Sequence, residues 1–145
     1  MTEAETIARW VTPGARVLDL GCGDGVLLKH LWQTRQAPGY GVEIDDAKVV
    51  ECIRNDVNVL QLDLEDGLAA FADRSFDYVI LSETLQAIHR QEPLMKEMLR
   101  VGPRCLSSLP SPQPRSRTRA PGLTQRAMVS ASVIARCCRS RRAAR

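Results

Sequence analysis

The chain has 145 residues, 44% of them hydrophobic and 26% charged, which suits one compact domain built on a single core. No stretch approaches the roughly 18 to 20 uninterrupted apolar residues of a membrane helix, and the acidic start MTEAETIARW lacks the basic-then-apolar grading of a secretory signal. The expected location is therefore the cytoplasm, with no membrane partner. Cys22, Cys52, Cys105, Cys137 and Cys138 form neither a CxxC pair nor the His/Cys spacing of a zinc site. They read as reduced thiols, and no metal is expected.

The formal charge of +3 conceals a split. Residues 1–102 hold all 17 acidic side chains against ten basic ones, a formal charge of −7. Residues 103–145 hold ten arginines and no acidic, lysine or aromatic residue. The expected organisation is a domain over 1–102 followed by an Arg/Pro/Ser-rich tail over 103–145.

In chain order, ETIARWV reads as an amphipathic helix closed by the turn Thr12-Pro13-Gly14, and RVLDL as a strand. VLLKHLWQ is a helix with Val26, Leu27, Leu31 and Trp32 on one face. GYGVEI is a second strand, DAKVVECIRN a helix with Val49, Val50 and Ile53 inward, and NVLQLDL a third strand. SFDYVILS is a fourth, apolar through YVIL as a strand buried on both faces should be. ETLQAI and PLMKEMLRV follow as helices, the second entering through Pro93. This alternation predicts an α/β fold with a parallel, doubly wound sheet.

Ligands of such sheets bind outside the carboxyl ends of the strands. Here those ends are Asp19 to Gly25, Glu43 to Asp45, Asp63 to Leu64, and Ser82 to Gln86. In LDLGCGDG the glycines Gly21, Gly23 and Gly25 open the backbone between a strand and a helix N-terminus, a setting for a pyrophosphate or a carboxylate. The dinucleotide fingerprint GxGxxG is not met, because Val26 holds its last position. Asp19 and Asp24 would also repel a pyrophosphate, at a cost on the order of a few kcal/mol in a partly buried cleft. A ligand with a carboxylate and positive charge escapes that penalty, and S-adenosylmethionine has both. Glu43, 22 residues beyond Gly21, has the spacing of an acid that accepts the two ribose hydroxyls.

RVLDLGCGDGVLLKHL, GYGVEIDDAKVVECIRNDVNVLQLDLEDGL and FDYVILSETLQAIHRQEPLMKEMLRVG resemble the methionine biosynthesis protein MetW family, within the class I S-adenosylmethionine-dependent methyltransferases. The resemblance covers roughly residues 5–102 and implies a Rossmann-like class I methyltransferase fold. It implies that Asp19, Gly21, Cys22, Gly23 and Gly25 form the methionyl pocket and that Glu43 binds the ribose. Asp63 would accept from the adenine amino group with Leu64 beside the ring, and Ser82 and Glu83 would face the transferable methyl. It further implies a regulatory partnership with homoserine O-acyltransferase in methionine synthesis. On the residues alone, Asp63 is also a candidate turn cap, Ser82 an ordinary strand end, and Cys22 and His30 packing residues. Met95 and Met98 read as core. His89 is the one histidine expected at the cleft mouth and a candidate base.

The departure from the family begins at Pro103. Pro103, Pro110, Pro112, Pro114 and Pro121 interrupt the region where a fifth strand belongs, so the sheet is expected to end on YVIL with its C-terminal strands missing or replaced. The tail fits a reading-frame change near codon 103 best, then a disordered extension, and least a nucleic-acid module, which it lacks the aromatics to build. The expected function is that of a MetW-like S-adenosylmethionine-binding protein. A methyltransferase of unidentified acceptor and a truncated product without function are the alternatives.

Overall fold

Thr2 starts the first helix by a reciprocal cap: its Oγ1 accepts from Glu5 N at 3.2 Å and Glu5 Oε2 accepts from Thr2 N at 2.7 Å. The computed structural model describes residues 2–82 and 87–108. Along them run α1 (Glu3–Trp10), β1 (Val17–Leu20), α2 (Val26–Arg35), β2 (Gly39–Glu43), α3 (Asp46–Arg54) and β3 (Asn58–Gln61). A 3₁₀ turn at Leu64–Asp66, β4 (Tyr78–Ser82), α4 (Gln91–Val101) and β5 (Arg104–Ser108) complete them. The strands form one sheet in the order β3-β2-β1-β4-β5, and each adjacent pair is parallel.

Successive residues of β1 and β4 enter opposite faces, as the two-residue period of a strand requires. Val17, Tyr78 and Ile80 join a core with Ile7, Leu28, Leu31 and Cys52 from α1, α2 and α3. Leu18, Leu20, Val79 and Leu81 join a second core with Leu94, Met98 and Val101 of α4. The uniform YVIL run is thus buried on both sides, and Met95 packs beside Met98 as core. Arg100 closes the second layer, donating to the carbonyls of Leu68 and Phe71 at 2.9 Å each while pairing with Asp73 and Glu97.

Two helix faces differ from the sequence expectation. On α2 the buried residues are Leu28 and Leu31, whereas Val26 and Trp32 are more than half exposed. The cause lies in β2: a Cβ at Gly39 would lie 2.6 Å from Leu28 Cδ2, so its absence opens the seat for Leu28, while one at Gly41 would lie 2.3 Å from Cys22 Sγ and 3.4 Å from Leu28 Cδ1. On α3, Cys52 is buried while Val50 and Ile53 are exposed. The Asp45 cap, which accepts from Lys48 N at 3.0 Å, starts the helix in a phase that points Cys52 at the glycine loop. Helix α4 begins at Gln91, two residues before Pro93, which occupies the first turn where its missing N–H leaves no bond unmade. The expected ETLQ segment at 83–86 lies outside the described residues.

The expectation that the sheet ends on YVIL is corrected by β5, which pairs along β4 from Tyr78↔Arg104 to Ser82↔Ser108. Pro103 precedes this strand and Pro110 follows it, so neither removes one of its amides. A five-residue edge strand also needs little apolar content. Leu106 enters the first core, Cys105 packs against the second, and the Arg104 guanidinium lies 5.2 Å from the Tyr78 ring centroid. Leu106→Ala should lower the unfolding free energy by about 2–3 kcal/mol, read from the urea midpoint at unchanged m-value. A change below about 0.5 kcal/mol would mean that β5 contributes nothing to the fold.

Candidate functional site

Leaving β1, the chain turns through Gly21, Gly23 and Gly25, all at positive φ. Gly25 is fixed twice, because beyond its φ of 78° a Cβ there would lie 3.0 Å from Val57 Cγ2 and 3.2 Å from Cys52 Sγ. Gly21 N and Cys22 N both donate to Val42 O, at 2.7 and 3.0 Å, and Gly25 N donates to Cys22 O at 3.0 Å. Gly23 N donates to Glu43 Oε2 at 2.8 Å. The loop amides expected to face a ligand therefore have partners within the chain at these four positions. They shape the loop, which is surrounded by the carboxylates of Asp19, Asp24 and Glu43.

Asp19, the third residue of β1, is 1% exposed, and its Oδ1 has no hydrogen-bond partner among the described residues. Burial first, and then the negative charges of Glu3 and Glu43, push its pKa from 3.8 up to about 7. A buried acceptor of this kind is stabilised by a cation brought to it. Glu43, at the end of β2, accepts from Gly23 N through one oxygen and from Ile44 N and Asp45 N, at 2.9 and 3.1 Å, through the other. Its rotamer is fixed by main chain on both sides of the cleft; Oε1 is filled by two amides, and Oε2 retains a lone pair for a further donor.

Beside Glu43 lies a cavity of about 320 Å³, within roughly the range of small-molecule sites. Of the sequence-predicted residues it brings together Gly21, Glu43, Asp63 and Leu64. Val42, Ile44, Leu62 and Ile88 supply apolar wall, and Glu65 and His89 close the rim. Asp63 is both cap and lining residue: one carboxylate oxygen accepts from Glu65 N at 2.9 Å, so the turn-cap reading holds without removing Asp63 from the cavity. Asp19, Cys22, Gly23 and Gly25 stand outside that lining. The Cys22 side chain is buried, turned toward Cys52 and Gly41. Ser82 is placed by its backbone at the end of β4, and Glu83 lies outside the described residues.

His89 is nearly fully exposed, with Nδ1 3.5 Å from Glu65 Oε1 and its backbone N–H donating to the same oxygen at 2.6 Å. Sequence reasoning placed Ile44 within a strand end without giving it a role, and missed Val42, Leu62, Glu65 and Ile88. Val42 and Leu62 each precede a strand-end acid that was found, and Glu65 lies two residues beyond Asp63, so reading outward from those acids would have reached them. A larger groove, about 440 Å³, runs between α2 and the turn that joins α3 to β3, past Trp32 and Val57. It opens at Gly39 and Asn58, the amino ends of β2 and β3, and so lies away from the end of the sheet where α/β ligands bind. No helix among the described residues is long and apolar enough to cross a membrane.

Among solved structures, this architecture is similar in fold to S-adenosylmethionine-dependent methyltransferases. A TehB-like S-adenosylmethionine-dependent methyltransferase from Corynebacterium glutamicum superposes with a TM-score of 0.62 at 21% identity, covering 72% of this chain and 60% of that one. An S-adenosylmethionine-dependent methyltransferase from Aquifex aeolicus gives 0.59 at 20% identity, over 72% and 61% of the two chains. At these identities the likeness is one of fold. In sequence, the bifunctional methionine biosynthesis protein MetXA/MetW of Rhodopirellula baltica is 38% identical over 117 residues. That match takes in 75% of this chain but only 19% of the relative's length. The family model for methionine biosynthesis protein MetW matches residues 2–119, across the composition change at Gly102 and through β5. With the strand order, the glycine turn and the strand-end acids all in place, the chain belongs to the MetW family.

Proposed function

We propose that this MetW-family protein binds S-adenosylmethionine at the Asp19–Glu43–Asp63 cleft and acts in methionine biosynthesis as a regulatory partner of a homoserine O-acyltransferase. The observation that carries the binding site is the buried Asp19 Oδ1 with no partner among the described residues, beside a loop held open by glycines. A ligand ammonium meets that requirement, and no neutral or anionic group does so as well. Glu43 has a free lone pair on Oε2 for a ribose hydroxyl. Asp63 and the apolar wall of Val42, Ile44, Leu62 and Ile88 suit a purine that offers an amino donor from a flat hydrophobic ring. When bound, the cofactor would supply an electrophilic sulfonium methyl. The chain's own residues would bind it, orient it and exclude water from the adenosine end. The partnership is supported by the Rhodopirellula relative, whose name joins MetXA and MetW in one bifunctional protein.

Asp19→Asn keeps the side chain's shape but removes its charge, and should weaken S-adenosylmethionine binding about 10- to 100-fold by calorimetry, the worth of one charge-assisted contact. Trp32→Ala, in the groove between α2 and the α3–β3 turn, should leave affinity within about twofold. Equal losses in both variants would sink the assigned site.

Because Asp19 titrates near 7 in the free protein, lowering the pH through that value protonates the carboxylate and removes its attraction for an ammonium. Affinity should fall as pH drops from 8 toward 6, and the profile should flatten in Asp19→Asn. A wild-type profile as flat as the variant's would exclude Asp19 as the ligand's counter-charge.

Mixed with a homoserine O-acyltransferase from the same organism, the protein should co-elute with it and raise its turnover. An acyltransferase whose elution and rate are both indifferent to the protein would refute the partnership.

A further inference from the structure

Beneath the glycine loop two free thiols face each other. Cys22 Sγ and Cys52 Sγ are 3.6 Å apart, and both side chains are buried, at 7% and 0% exposure. Cys52 Sγ also donates to Gly23 O at 3.0 Å, so this thiol props the loop from below. The third described cysteine, Cys105, packs against the other face of the sheet. Nothing in the proposed binding chemistry uses the pair, yet it joins the loop to α3 at the point where Gly23 N is tied to Glu43.

We propose that Cys22 and Cys52 are a site of reversible oxidative modification, closing to a disulfide that distorts the glycine loop and switches off ligand binding. The switch rests on the site reading above and adds regulation to it. A disulfide bond is about 2.05 Å long, so the sulfurs must approach by about 1.5 Å. The helix side is the stiffer: Cys52 O accepts from both Asn55 N and Val57 N, at 3.1 and 3.0 Å. The loop side is softer, since Cys22 stands between two glycines at positive φ. Closure therefore draws Cys22 off its seat against Gly41, ends the thiol's hydrogen bond to Gly23 O, and moves the amide that fixes Glu43.

The co-reactant is a small disulfide, R–S–S–R. The thiolate of one cysteine attacks it, forming a mixed disulfide and expelling R–S⁻. The second cysteine's thiolate attacks the protein sulfur of that mixed disulfide, forming the Cys22–Cys52 bond and expelling a second R–S⁻. The two thiol protons end on the released thiolates, and two electrons pass from the protein sulfurs to the oxidant. Burial pushes both thiols up from their ordinary value, so they are protonated in the closed loop and react when it opens. Bound ligand, by holding the loop closed, slows the modification.

The test uses the full chain, reduced and then incubated with oxidised glutathione. Trypsin without reductant should release Val17–Lys29 linked to Val49–Arg54, found by mass spectrometry. Affinity for S-adenosylmethionine should fall at least tenfold on oxidation and return with dithiothreitol. In Cys52→Ala, oxidised and reduced samples should bind equally. Absence of the linked peptide, a linked protein of unchanged affinity, or an equal loss in Cys52→Ala would each overturn the proposal. If the reduced chain binds no S-adenosylmethionine, the site reading fails by itself. The switch is then decided by amide exchange over Gly21–Gly25: faster exchange in the cross-linked chain supports it, and unchanged exchange overturns it.

Discussion

The Glu43 carboxylate ties together the carboxyl end of this sheet. One oxygen takes the Gly23 amide of the loop after β1, and the other takes the Ile44 and Asp45 amides that lead into α3. Three backbone donors that would otherwise point into a cleft are satisfied by one side chain. The same contact ties the glycine loop to the residues that lead into the Asp45 cap of α3. The cavity and the thiol pair lie on either side of this tie.

Two charges of one sign at the carboxyl ends of adjacent strands are unfavourable without a counter-charge. Glu43 is relieved by backbone amides, whereas Asp19 is pushed toward neutrality by burial first, and then by Glu3 and Glu43. In the proposed site a cationic group brought to Asp19 would pull it back to the carboxylate. A ligand with a cation beside hydroxyl donors would suit that arrangement better than a pyrophosphate.

Most of the fold was legible because hydrophobic period and turn chemistry agreed: four strands and α1 to α4 fall where the pattern places them. The inward faces of α2 and α3 were not, because they depend on absences in a neighbouring strand. Nothing in VLLKHLWQ reveals that Gly39 makes room for Leu28. Strand β5 was hidden for another reason: RCLSS has the composition of a loop, and only its partner β4 makes it a strand. At the site, Glu43 and Asp63 could be read from their positions at strand ends. The contact of Cys22 with Cys52 joins residues 30 apart in sequence through tertiary packing, and no local signal announces it.

In the proposed site the carboxyl-end cleft receives the amino and ribose groups of S-adenosylmethionine at Asp19 and Glu43. A crystal structure grown with S-adenosylhomocysteine, which shares both groups, tests this most directly. The ligand's ammonium is expected within hydrogen-bonding distance of Asp19, a ribose hydroxyl on Glu43, and its purine against Leu64. A ligand seated in the groove between α2 and the α3–β3 turn, or one whose ammonium avoids Asp19, would contradict the proposed site.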